Sequence, residues 1–113
     1  MKRVTLEVAT REDAGRRFRN AMAGKSQGTR ISFETPALLT KVLSGRRWEL
    51  LKVMTGVGPI AIREAARRME KDVKSVHADV HALIAAGLLR KTDDGKIVFP
   101  FDEIHVDFTV RAA

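Results

Sequence analysis

No cysteine occurs in the sequence, so neither a disulfide nor thiolate chemistry can carry its function. Aromatic residues are scarce. Five Phe and one Trp are too few for the stacking platforms that hold single-stranded nucleic acids, and Trp48 reads as a core anchor. No apolar run approaches the roughly 20 residues of a membrane-spanning helix, and the N-terminal residues lack the apolar stretch of a secretory signal. The expectation is a cytoplasmic chain with no membrane partner. Nor can a Ser/His/Asp or Cys/His constellation be assembled, so no catalytic residue is assigned and the chain is expected not to be an enzyme. The acid pairs Asp93-Asp94 and Asp102-Glu103 fall in a turn and ahead of a strand, where solvation and capping account for them.

Two further motifs fail on their surroundings. Gly24-Lys25-Ser26 resembles the end of a phosphate-binding loop, but the glycine required five residues before Gly24 is Arg19. His77 and His81 are spaced i, i+4, so one helix face offers two imidazoles to a metal, with His105 or Asp79 as further ligands. There is no cysteine and no second matching pair. With His77 beside an apolar stripe, a core-edge histidine bonded to backbone is the preferred reading. No metal and no cofactor are therefore expected.

What the sequence has in excess is positive charge, +7 over 113 residues, unevenly placed. Residues 1–30 hold eight Lys/Arg against three acids, 31–58 four against two, 59–91 seven against four, and 92–113 two against five. A basic body ahead of an acidic C-terminal segment favours a polyanion on one surface. The length suits one domain with a modest core.

The stretch from Gly58 to Phe99 organises the rest. Pro59 stands where a helix can begin, since its missing N–H would be unsatisfied there anyway. Ile62, Ala65, Ala66 and Met69 then recur at helical spacing, with Arg63, Arg67 and Arg68 on the other faces. The pattern breaks at Glu70-Lys71. Asp72 is an N-cap for a second helix, Val73 to Ala86, closed by Gly87. Along that helix Val73, Val76, Val80, Leu83 and Ile84 form the expected buried stripe; Lys74, Ser75, Ala78, His81 and Ala82 lie opposite. Leu88 to Phe99, with Asp93-Asp94-Gly95 at its centre, reads as a β-hairpin. Helix, short turn, helix and basic hairpin make a winged helix-turn-helix. The second helix, residues 72–86, is then the one expected in the major groove of double-stranded DNA. Lys71, Lys74, Ser75 and Ala78 are the candidates for base edges. Arg63, Arg67 and Arg68 are candidates for phosphate, and Arg90, Lys91 and Lys96 are the cations of the wing, residues 88–99.

Around this stretch, Val4, Leu6 and Val8 alternate with polar neighbours as a half-buried strand, and Thr10 opens a helix that Gly24 closes. Ile31 and Phe33 mark a second strand. Pro36 starts a helix running from Ala37 to Leu43, and Arg46 to Met54 forms the next. Its inner face is either Trp48, Leu51 and Met54 or Leu50 and Val53. Ile104, Val106, Phe108 and Val110 give the cleanest strand alternation. A lone strand cannot satisfy its backbone, so the two terminal strands must pair within the chain or across a two-fold axis.

From Leu43 to Pro100 the sequence resembles the small prokaryotic winged-helix proteins related to the MarR and ArsR regulators. The likeness rests on Arg47-Trp48-Glu49-Leu50-Leu51, on Gly58 to Arg67, on Asp72 to Leu83 and on Gly87 to Pro100. Phe33-Glu34, Leu38-Leu39-Thr40 and Phe101-Asp102-Glu103-Ile104 extend it. The resemblance implies a transcriptional regulator that binds DNA; some members look like antitoxins encoded beside a small toxin. Where many members carry basic residues, this chain has Ser75 and Ala78, and its first 28 residues lie outside the pattern.

The expected fold class is thus α+β: a winged helix-turn-helix over residues 35–101, a strand–helix–strand extension over 1–34, and a C-terminal strand over 102–113 that is a candidate for dimerisation. The expected partners are double-stranded DNA and a second copy in a homodimer. The expected activity is transcriptional control, as a repressor. The alternative is an antitoxin that neutralises a cognate toxin protein and autoregulates its operon.

Overall fold

The computed structural model describes residues 2–9, 12, 19 and 29–110. In chain order the elements are β1 (Arg3–Val8), β2 (Thr29–Phe33), α1 (Pro36–Val42), α2 (Gly45–Met54), α3 (Ile62–Met69), α4 (Val73–Ala85), β3 (Arg90–Lys91), β4 (Ile97–Val98) and β5 (Glu103–Asp107). The class is α+β. The helix expected from Thr10 to Gly24 lies, apart from Glu12 and Arg19, outside the described residues, as does the Gly24-Lys25-Ser26 segment.

The terminal strands pair with each other. β1 is central in a three-stranded sheet ordered β2-β1-β5, parallel on both sides, with Leu6 opposite Ile31 and Val106. The alternation of Val4 and Leu6 puts both side chains fully inside. Glu7, on the other face, is buried and accepts from Arg30 Nη1 at 3.0 Å and Ser32 Oγ at 2.9 Å. Expected to continue to Val110, β5 instead ends at Asp107, whose register partner is Glu7 near the end of β1. Phe108 and Val110 are exposed beyond it.

Several helix ends carry an identifiable signal. Thr35 caps α1, its hydroxyl accepting from Leu38 N–H at 3.1 Å, with Pro36 in the first turn. α2 settles the ambiguity of its inner face by burying one residue from one candidate set and two from the other: Leu50, Leu51 and Met54 are inside, while Trp48 and Val53 are half-buried. α3 begins three residues later than its sequence suggests. Ile60 exchanges two backbone hydrogen bonds with Ile97, N–H to O at 3.0 Å and 2.8 Å, so Pro59 and Ile60 belong to an extended segment bound to β4. The helix starts only at Ile62.

α4 closes with the Leu88 N–H on the Leu83 carbonyl (2.9 Å) and the Gly87 N–H on that of Ile84 (3.0 Å). Gly87 has φ +86°, the left-handed conformation that this closure requires. α3 closes the same way, with Lys71 N–H on the Ala66 carbonyl and Glu70 N–H on that of Arg67, both 3.1 Å. There the left-handed position is Glu70, at φ 56°. The connection between α3 and α4 is thus three residues, Glu70 to Asp72.

β3 and β4 form a hairpin in which Arg90 faces Val98 and Lys91 faces Ile97. Its loop is Asp93-Asp94-Gly95, closed by Gly95 N–H to the Thr92 carbonyl at 3.0 Å and Thr92 N–H to the Lys96 carbonyl at 2.8 Å. This is the three-residue loop with glycine in the left-handed position. One apolar core joins all these parts: Val4 and Leu6 from the sheet, Leu50, Leu51 and Met54 from α2, Ala65 and Ala66 from α3, Val76, Val80 and Leu83 from α4, and Leu88, Ile97 and Phe99 from the hairpin. No helix among the described residues is long and apolar enough to cross a membrane.

Candidate nucleic-acid interface

The Asp72 side chain fixes the start of α4, accepting from the Ser75 N–H at 2.9 Å and the Ser75 hydroxyl at 2.8 Å. Those two hydrogen bonds, with help from the Arg46 charge, hold the Asp72 carboxyl below the usual carboxylate range. They also occupy the Ser75 hydroxyl. Ser75 is half-buried, and its carbonyl accepts from Arg46 Nη2 at 3.2 Å. Of the four residues proposed to meet base edges, Ser75 is therefore the one held against the helix cap.

The buried stripe of α4 is Val76, Asp79, Val80 and Leu83, which corrects the expected one in three places, Ile84 being only half-buried against the core. Val73 is 43% exposed, because the first turn projects beyond a core that begins at Val76. Asp79 takes its place among the buried residues. Its oxygens are each held by a guanidinium: Arg46 Nε donates to Oδ2 at 2.8 Å and Arg47 Nε to Oδ1 at 3.1 Å. Arg47 also donates from Nη1 to the Val42 carbonyl at 3.0 Å. The cluster ties the first turn of α2 to the middle of α4. A carboxylate within a helix's apolar stripe, with two adjacent arginines one helix upstream, is the signal that sequence reading passed over.

The outward face of α4 carries Lys74, His77, Ala78 and His81, all exposed. His77 is thus not the core-edge histidine expected. Its Nε2 lies 3.2 Å from that of His81. Asp79, its oxygens taken, is no partner for them, and among the described residues no group of three or more His, Asp or Glu gathers as for a metal ion.

The α3 cations divide. Arg63 is exposed and makes no ion pair among the described residues. Arg67 and Arg68 both donate to Glu64, Arg67 by a close bidentate pair and Arg68 Nε at 3.3 Å. The hydrogen bond from Arg67 is the main cause that holds the Glu64 carboxyl below its ordinary value, and it raises the Arg67 guanidinium in turn. Lys71, in the left-handed turn, and Arg68 line a cleft with Gly45, Arg46, Glu49, Val53 and Met69, at the first turn of α2.

On the hairpin, Lys91 is exposed, and Lys96 Nζ stands 3.9 Å from Asp94 Oδ2. Asp94 is itself held below its usual range chiefly by the Thr92 hydroxyl. Arg90 sits at the hairpin's base, in a cleft with Lys2, Arg3, Thr29, Pro100 and Phe101. Lys2, Arg3 and Arg46 were not among the expected site residues; the basic excess of residues 1–30 was the one hint of the first two.

A family model, HVO_A0114, matches residues 42–106. The chain belongs to the HVO_A0114 family. The segment shared with that family runs from the last residue of α1 into β5 and so contains α2, α3, α4 and the hairpin, while β1 and β2 precede it. No curated protein and no solved structure matches the chain.

Proposed function

We propose that this HVO_A0114-family chain is a winged helix-turn-helix protein that binds double-stranded DNA as a homodimer and represses transcription from the cytoplasm. The observation that carries the reading is the backbone pairing of Ile60 with Ile97. It ties the hairpin to the segment that leads into α3, so that helix, three-residue turn, helix and hairpin act as one rigid unit, as a DNA-reading helix and its wing require. The charge supports it. Arg63, Lys71, Lys74, Arg90 and Lys91 are exposed and unpaired among the described residues, and Lys74 and Ala78 share the outward face of α4. In this reading α4 enters the major groove, Lys74 and Ala78 face base edges, Lys71 stands at the groove's rim, and Arg63 and the hairpin cations hold phosphate.

The edge strand β5 supports a second reading. It ends beside exposed Val106, Phe108 and Val110, an edge to which another chain can add a strand. That fits a second copy, or a toxin neutralised by an antitoxin.

The deciding measurement is binding to the protein's own promoter fragment against random duplex across a salt series. Promoter-selective binding whose log K falls steeply with log salt establishes an autoregulating DNA-binding protein. Equal, weak binding to both duplexes overturns it in favour of the protein partner, which is then sought by co-purification with the product of the neighbouring gene.

A further inference from the structure

The i, i+4 spacing of His77 and His81 puts their rings one above the other on the exposed face of a capped, regular helix. The ring centroids are 4.3 Å apart with planes inclined by 51°, and the two Nε2 atoms converge to 3.2 Å. In the neutral pair one Nε2 donates to the other, and a single proton fills the gap. Two nitrogens bound to one ion at the Zn–N distance of about 2.0–2.1 Å, and subtending about 100–110° at it, lie about 3.1–3.4 Å apart. The separation in the helix already has this value. An ion can therefore bridge the two nitrogens with the helix backbone in place, once the donating ring carries its proton on Nδ1 instead and both Nε2 lone pairs turn toward the ion.

We propose that His77 and His81 form a two-imidazole chelate for a divalent transition-metal ion on the outward face of α4. Imidazole donors suit zinc, nickel and copper over magnesium or calcium. Both rings are exposed, with Lys74 one turn before them on the same face. Ala78 lies between the histidines and Ala85 one turn beyond, and neither side chain reaches over the rings. With two protein donors, water fills the remaining coordination positions. The inference stands on the geometry of α4 alone and does not depend on DNA binding.

The test is calorimetric titration of zinc chloride, and separately nickel chloride, into the untagged chain in a non-chelating buffer, with His77→Ala, His81→Ala and the double variant alongside. Both residues are exposed, so the variants are expected to keep the far-ultraviolet circular dichroism and urea midpoint of the native chain. Loss of an outer partner of a metal ligand already weakens binding by about 10–100-fold. Each single variant, which removes a ligand itself, is therefore expected to bind at least about tenfold more weakly, and the double variant to show no saturable binding. Absence of saturable zinc or nickel binding by the native chain overturns the proposal. So does equal binding by the double variant, which would put the ion elsewhere.

Discussion

Replacing Asp79 tests whether one buried carboxylate sets the position of α4. Its side chain is 6% exposed, against 24% for Arg47 and 46% for Arg46. Asp79→Ala removes the negative charge and leaves the mostly buried Arg47 guanidinium without a counter-ion, while Arg46 can turn into water. Breaking a buried ion pair from one side costs about 3–5 kcal/mol; with one arginine half in solvent, a loss of about 2–4 kcal/mol is expected. Asp79→Asn keeps the volume but turns an amide N–H₂ toward a guanidinium, so it should recover little. Arg47→Ala also frees the Val42 carbonyl and should cost about 1–3 kcal/mol, whereas Arg46→Ala, at a half-exposed position, should cost at most about 1 kcal/mol. Urea unfolding with an unchanged slope measures all four. A loss below about 0.5 kcal/mol in both Asp79 variants, or Arg46→Ala costing more than Arg47→Ala, would refute the reasoning, since a buried charge left alone cannot be that cheap.

Four further outcomes follow from the same geometry. Lys74→Ala should reduce discrimination between promoter and random duplex by about 1–3 kcal/mol, while Arg63→Ala should weaken both alike and lower the salt slope by about one; equal loss on both duplexes for Lys74→Ala would remove its base-reading role. Arg67→Ala should change DNA affinity less than Arg63→Ala, because Glu64 already holds the Arg67 guanidinium, and a competition gel shift compares the two. Glu70→Gly should raise stability by about 0.5–1 kcal/mol, as relief of a left-handed L-residue, worth about 1–2 kcal/mol, exceeds the chain entropy that glycine adds; a lower urea midpoint would contradict this. The Ser75 donors depress the Asp72 carboxyl in the folded state, so the stability it contributes is present above the unfolded carboxylate value, about 3.9, and is lost as pH falls through the lower folded value. Asp72→Ala should accordingly unfold at lower urea than the native chain at pH 7 and converge with it below about pH 4.

Local chemistry made most of the fold legible. Asp72 as a cap, Gly87 as a stop, Pro36 in a first turn and Gly95 in a hairpin loop each act through their own backbone, so their signals survive without tertiary context. Pro59 shows where such reading ends. It permits a helix, but Ile97, 37 residues beyond Ile60 in the sequence, offers Ile60 a strand partner instead, and two hydrogen bonds outweigh a compatible φ. β5 fails in the same way. Its alternation continues to Val110, yet pairing stops at Asp107 opposite Glu7, one residue before β1 itself ends. Asp79 and His77 were misplaced for a third reason. A helix wheel gives directions but not what stands in them, and whether a polar residue at a stripe's edge meets solvent or an arginine depends on the helix packed alongside.

The arginine pairs separate charge that is available from charge that is spent. Arg46 and Arg47, adjacent in sequence, converge on one buried carboxylate; Arg67 and Arg68 converge on Glu64. Among the described residues these four, with Arg3, Arg30 and Lys96, face an acid at close range, and the potential they project outward is reduced accordingly. The net charge of +7 is unaltered by this pairing, but its location is not. Unpaired among the described residues near the proposed reading helix are Arg63 on α3, Lys71 in the turn and Lys74 on α4, with Arg90 and Lys91 on the hairpin. These five span the three elements that a winged helix would lay against a duplex; Lys41 on α1 and Lys52 on α2 are exposed and without an ion pair among the described residues as well. The DNA reading draws its support from the grouping of these five on α3, the turn, α4 and the hairpin, more than from how many cations the chain contains.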